Sequence, residues 1–170
     1  MSTKASDPRP SPEFDPGAPA LFEGIFGLPF SVEEAKVVLL PVPWEPTTSY
    51  RKGTAKGPAA IYEASKQVDL FDLETGRPYE AGIALLPVDP RIEAWNAEAC
   101  AASEPIIACG GQVEGDAELQ RALARVNALS AELNALVLAQ TREQLEAGKV
   151  VGLLGGDHST PFGCIAAHLE

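Results

Sequence analysis

A chain of 170 residues with 45% apolar residues can enclose one hydrophobic core, or form part of a larger one. Its 13 Lys and Arg against 24 Asp and Glu leave a net charge of −11, which repels phosphate backbones and anionic membranes, and no basic patch with interleaved aromatics offsets it; nucleic-acid and membrane partners are not expected. No apolar run approaches a membrane span and no signal-peptide core opens the chain, so the expected compartment is the cytoplasm.

Residues 1–20, rich in Pro, Ser and Asp, read as a disordered arm preceding a domain over 21–170. Lys36 to Val42, KVVLLPV, is a β-branched run bounded by proline, the pattern of a parallel strand buried on both faces. The loop PWEPTTSYRKGTAKGP follows at the strand's C-terminal side, where open α/β sheets bind ligands. GPAAIYEASKQV then reads as a helix with Pro58 in its first turn and Ile61, Ala64, Ser65 and Val68 on one face.

Gly82 to Val88 reads as a second strand and Arg91 to Ser103 as a helix. From Ala117 to Ala147, Leu119, Leu123, Val126, Leu129, Leu133 and Leu136 recur at spacings of three and four. That stripe predicts a long helix packed on the sheet, with a coiled-coil partner as the minor alternative, and Gly148 as its C-terminal cap. KVVGLLGG is the third strand, and TPFGCIAAHLE opens a last helix. The order β-α-β-α-α-β-α indicates an α/β fold with a largely parallel sheet.

Cys100, Cys109 and Cys164 match no zinc or redox spacing, and an odd number suits reduced thiols rather than a disulfide framework. His158 and His168 are the two histidines, so imidazole chemistry must use one of them.

The third strand ends in LLGGDHST, and four roles fit such an exit. A phosphate cradle would need a Gly-Lys-Ser/Thr or a three-glycine pattern, which is missing. A nucleophile elbow at Ser159 would need flanking glycines, but His158 and Thr160 flank it. Asp157, Ser159 or Thr160 can cap the helix that begins near Pro161. His158 can instead ligate a metal, with Asp157 orienting it and Gly155 and Gly156 permitting the turn. The local pattern leaves the last two open.

Two stretches together change the balance. PVPWEPTTSYRKGTAKGPAAIYEAS, residues 41–65, resembles the agmatinase-type N-terminal signature of the ureohydrolases, the family of arginases and agmatinases. LLGGDHST, residues 153–160, is similar to that family's first metal-binding motif. QVDLFDLETGRPYEAGIALLP stands where the family has its second strand, and LFEGIFGLP points to the agmatinase-like branch.

The resemblance implies a three-layer α/β/α fold and a binuclear manganese site, nickel being an alternative, at the C-terminal ends of the strands. It implies attack of a metal-bridging hydroxide on a guanidinium carbon, releasing urea and an amine. His158 corresponds to a metal ligand. Asp157, Gly155, Gly156 and Ser159 correspond to its supporting motif. Trp44, Glu45 and Tyr50 are candidates to face the substrate from the first loop, which can equally serve as a structural rim or subunit contact. Agmatine is the leading substrate, with guanidine, guanidino acids and formimino compounds as alternatives. A homo-oligomer, trimeric or hexameric, is implied for the complete protein.

The family's later ligand motifs, Asp-x-His-x-Asp and Ser-x-Asp-x-Asp, do not occur in these residues. The expectation is therefore the N-terminal part of a ureohydrolase, with an incomplete sheet. The alternatives are a non-catalytic interaction module and an unrelated α/β binding domain. One imidazole does not hold a binuclear cluster. These 170 residues by themselves are expected to release no urea from agmatine with manganese supplied; urea in that assay would overturn the expectation.

Overall fold

The computed structural model describes residues 22–170, so the arm expected over 1–20 lies outside the described residues. Seven main elements follow in chain order: β1 (Val37–Val42), α1 (Gly57–Ser65), β2 (Ile83–Leu85), α2 (Arg91–Ala108), α3 (Ala117–Glu146), β3 (Val150–Gly155) and α4 (Phe162–His168). Single 3-10 turns occur at Ile25–Gly27, Thr54–Lys56 and Pro78–Ala81.

The strands form one sheet in the order β2-β1-β3, and both pairings are parallel. Val38 pairs with Ala84 on one side and with Val151 on the other, so β1 is the central strand. Its β-branched and leucine side chains suit a strand covered on both faces. This is the α/β architecture with a parallel sheet that the element order indicates.

Strand alternation sorts the layers. Leu40 and Val42 face a core built with Trp44, Ile92, Ala99, Leu129, Leu133, Val137 and Cys164, which brings α2, α3 and α4 to that side. Pro41, of opposite parity, shares an apolar groove of about 660 Å³ with Pro58, Ala59 and Tyr62 of α1. Helix α1 therefore covers the other face.

The leucine stripe of α3 packs as its spacing predicts at the centre: Val126, Leu129, Leu133 and Val137 are buried, while Leu119, Leu123 and Leu136 are partly covered. Asp116 caps the helix by accepting from the N–H groups of Glu118 and Leu119, satisfying two otherwise unpaired donors. Gly148 follows the C-terminal end at φ +75°, the left-handed conformation that closes helices. By length and composition α3 could cross a membrane; here its buried stripe faces the protein core. Helix α4 approaches α3 closely at Gly163, where a Cβ would stand 2.3 Å from the Asn134 carbonyl oxygen.

Several boundaries differ from the sequence pattern. Helix α1 stops at Ser65 rather than Val68, and Ile61, Ala64 and Val68 are exposed. The buried position is Ser65, whose hydroxyl donates to the Tyr62 carbonyl and accepts the Phe26 N–H. A polar tie to the Ile25–Gly27 turn orients this helix, rather than an apolar stripe. Strand β2 is three residues long: Gly82, at φ +80°, precedes it, and the chain leaves the ladder before Pro87. Helix α2 runs past Ser103 to Ala108 with Pro105 inside it, ending before Gly110 and Gly111, both at positive φ.

Leu133 is 1% exposed at the centre of the helical layer. Leu133→Ala is expected to lower unfolding free energy by about 2–5 kcal/mol in urea denaturation.

Candidate metal and substrate site at the strand exits

The strand order creates the site. After β1 the chain passes through α1 toward β2; after β3 it passes into α4, on the opposite face. The C-terminal exits of the neighbouring strands β1 and β3 thus diverge to opposite faces at a topological switch point, the place where open α/β sheets bind ligands. The β1 exit carries Trp44 to Lys56, and the β3 exit carries Gly156 to Pro161.

The two exits touch backbone to backbone. The Asp157 N–H donates to the Trp44 carbonyl at 2.9 Å. A Cβ on Gly156 would fall 1.9 Å from the Trp44 carbonyl oxygen, so Gly156 provides this approach by having no side chain. Gly155 is similarly crowded, since a Cβ there would lie 2.3 Å from the Thr160 hydroxyl oxygen.

The Asp157 carboxylate bridges the exits. One oxygen accepts the Thr47 N–H at 2.9 Å and the Thr47 hydroxyl at 2.7 Å. The other accepts the Ser159 N–H at 2.9 Å and the Ser159 hydroxyl at 2.6 Å. Ser159 in turn accepts from the Trp44 indole N–H at 3.1 Å. Thr160, 2% exposed, donates to the Asp157 carbonyl at 2.9 Å. These bonds also answer the capping alternative: α4 begins after Pro161 with no side-chain cap, because Asp157 and Ser159 are engaged with each other and with the first loop.

His158 stands between these tethered residues and is exposed. Its imidazole has no hydrogen-bond partner among the described residues, so it presents a ring nitrogen at a fixed backbone position. The other histidine, His168, lies at the far end of α4, its Nδ1 2.8 Å from the Cys164 carbonyl oxygen.

The substrate-facing role expected of Trp44 is corrected by its burial, and Glu45 has contacts within its own loop. Trp44 is fully buried and is a core residue whose indole N–H reaches Ser159, since a large apolar ring gains most from enclosure. Glu45 turns its carboxylate onto its own loop, accepting the Gly53 N–H, the Ala55 N–H at 3.2 Å and the Thr54 hydroxyl at 3.3 Å. All three bonds fall on one carboxylate oxygen, which fastens Glu45 to its own loop. Tyr50 is 88% exposed at the loop tip, with the Arg51 guanidinium 5.6 Å from its ring centre.

Burial works against the Glu45 charge, yet the Gly53 and Ala55 N–H groups, with Thr54 and Lys52, outweigh it and hold its pKa below the ordinary glutamate range. Burial pushes the Cys100 thiol up, opposed in part by Lys52, which disfavours a thiolate nucleophile there. All three cysteines are free.

Thr47 and Asn96 join the site without having been singled out from the sequence. Thr47 sits in the hydroxyl-rich PTTSY stretch, a signal that did not distinguish it from Thr48 or Ser49. Asn96 lies 51 residues from Glu45 on α2 and had no local signal at all.

Residues 35–170 match the model of the arginase family. The chain belongs to the arginase family. It is 33% identical over 139 residues to an N(1)-aminopropylagmatine ureohydrolase of Thermus thermophilus, covering 81% of this chain and 36% of that protein. The homologue from a second strain of that organism is 32% identical over the same shares. The same-named protein of Synechocystis sp. is 52% identical over 46 residues, 27% of this chain and 15% of that one. The chain thus spans 36% of the length of the Thermus relatives. No solved structure matches it.

A binuclear metal centre can be tested against the donors on the page. Among the described residues no group of three or more His, Cys, Asp or Glu is placed to hold a metal. Both Asp157 oxygens are taken by Thr47 and Ser159, leaving His158 as a single imidazole donor. The residues present fit one ligand and its support; they do not fit a binuclear centre by themselves.

Because the depressed pKa of Glu45 marks its charged form as favoured by the fold, its stabilising contribution is present above the ordinary glutamate pKa and lost as pH falls through the lower folded value. Carboxyl-carbon NMR is expected to place the Glu45 titration midpoint below the ordinary glutamate range, and a midpoint within that range would contradict the loop geometry.

Proposed function

We propose that the whole protein hydrolyses a linear guanidino compound, agmatine or an agmatine derivative, to urea and an amine, and that these residues build one side of its active site. The observation that carries this reading is the arginase-family match over residues 35–170 together with His158 held at the β1–β3 switch point. The Thermus relatives are named for aminopropylagmatine, which favours an agmatine-type substrate over guanidine, guanidino acids or formimino compounds. The reading also takes manganese, with nickel as the alternative, a cytoplasmic setting and a homo-oligomer.

Hydrolysis adds water to the guanidinium carbon and breaks the bond to the alkyl nitrogen, with a proton passing to the leaving amine. Bound divalent metal would supply hydroxide near neutral pH and stabilise developing charge. This chain's part is positional. His158 would be the donor to the metal, and Asp157 orients its backbone by gripping Thr47 and Ser159. The exposed Tyr50 tip belongs to the loop that follows β1 at these exits.

A second reading, an interaction module without catalysis, draws on the missing three-ligand group among the described residues. One assay separates the two. The whole protein with manganese is expected to release urea from agmatine or aminopropylagmatine. His158→Ala is expected to reduce that rate at least about 100-fold and to lower bound metal, with the melting temperature unchanged. No urea from any guanidino compound would favour the interaction module, and full activity in His158→Ala would remove the metal role of that residue.

A further inference from the structure

The first loop is fastened at two points that face different elements. Toward β3, Thr47 is held by Asp157. Toward α2, the Glu45 N–H donates to the Asn96 side-chain oxygen at 2.8 Å, and that oxygen also faces the Cys100 thiol at 3.6 Å. From this anchor the Glu45 carboxylate reaches across the loop to the Gly53 and Ala55 N–H groups and the Thr54 hydroxyl. The Glu45 carbonyl accepts from the Thr48 N–H at 3.2 Å and from the Lys52 ammonium at 3.5 Å. Gly53 adopts φ +129°, a conformation open to glycine, with its N–H on the carboxylate. One side chain thereby ties both ends of the 45–55 segment, and Asn96 of α2 holds residue 45 through its backbone N–H. The tip between, Ser49 to Lys52, is exposed.

We propose that Glu45 and Asn96 are positioning residues: a two-part strut, the Glu45 carboxylate across the loop and the Asn96 oxygen on the Glu45 N–H, that holds the 47–55 loop at the β1–β3 exits and thereby sets substrate binding rather than bond cleavage. The part concerning substrate rests on the hydrolase reading; the part concerning the loop does not. A loop ordered in advance spares the substrate the entropy of ordering it, so loss of the strut weakens binding while leaving the reacting groups in place. Gln at position 45 keeps an acceptor oxygen for the Gly53 and Ala55 N–H groups, whereas Ala keeps none.

The test begins on the whole protein with trypsin, which cuts after Arg51 and Lys52 at the loop tip, the fragments being identified by mass. Cleavage there is expected to be about tenfold faster in Glu45→Ala than in wild type, close to wild type in Glu45→Gln, and intermediate in Asn96→Ala, with cleavage elsewhere unchanged. Unchanged cleavage at Arg51 and Lys52 in Glu45→Ala would overturn the strut. Equal acceleration at all sites, with a lowered melting temperature, would also overturn it, because the effect would then be global. In the whole protein Glu45→Ala is expected to raise KM about tenfold with kcat within about twofold, restored by Glu45→Gln. A fall in kcat at unchanged KM would overturn the assignment to binding. Absence of urea release in the wild type would overturn the hydrolase reading, and the cleavage contrast would still decide the strut.

Discussion

The Asp157 carboxylate joins parts of the chain that arrive by different routes. Four donors from Thr47 and Ser159 surround its two oxygens, so the ion is stabilised in place. Thr47 belongs to the loop after β1, and Ser159 to the turn after β3, 112 positions further along. The contact forms only when β1 and β3 are neighbours in register and when Gly156 lets the Trp44 carbonyl approach. The buried indole of Trp44 completes the arrangement from below, with one polar atom spent on Ser159 and the rest of the ring in the core.

This dependence explains why the hydrophobic core and the candidate site are not separate features. Leu40 and Val42 seat β1 against the helical layer, and the next core residue, Trp44, already lies within the site. The helical layer matters for the same reason. Helix α2 contributes Ile92 and Ala99 to the core and Asn96 to the first loop, so one helix carries both packing and positioning. His158, by contrast, is held through its backbone neighbours while its ring is exposed.

The acidic residues at the exits illustrate how local pattern and tertiary role diverge. Asp157 precedes a helix and could have capped it; it braces the neighbouring loop instead. Glu45 sits in the loop after β1 and could have faced a cation; its carboxylate closes the loop. In both cases backbone N–H groups brought close by the fold donate to the carboxylate and fix where it points. A sequence shows that an acid is present, but not which unsatisfied donor lies nearest to it.

The sequence by itself determined the α/β class, the strand buried on both faces at KVVLLPV, the long helix with its leucine stripe, the closing glycine at position 148, and the two motifs that point to the arginase family. These are carried by short-range periodicity and by residues adjacent in the chain, which hydrophobic burial and turn sterics read locally. Only the tertiary structure decided the rest. It buried Trp44, closed Glu45 onto its own loop, exposed Ile61 and Val68, and brought in Thr47 and Asn96. Those outcomes depend on contacts between residues tens of positions apart, set by which strands are neighbours and which donors the packing leaves unpaired.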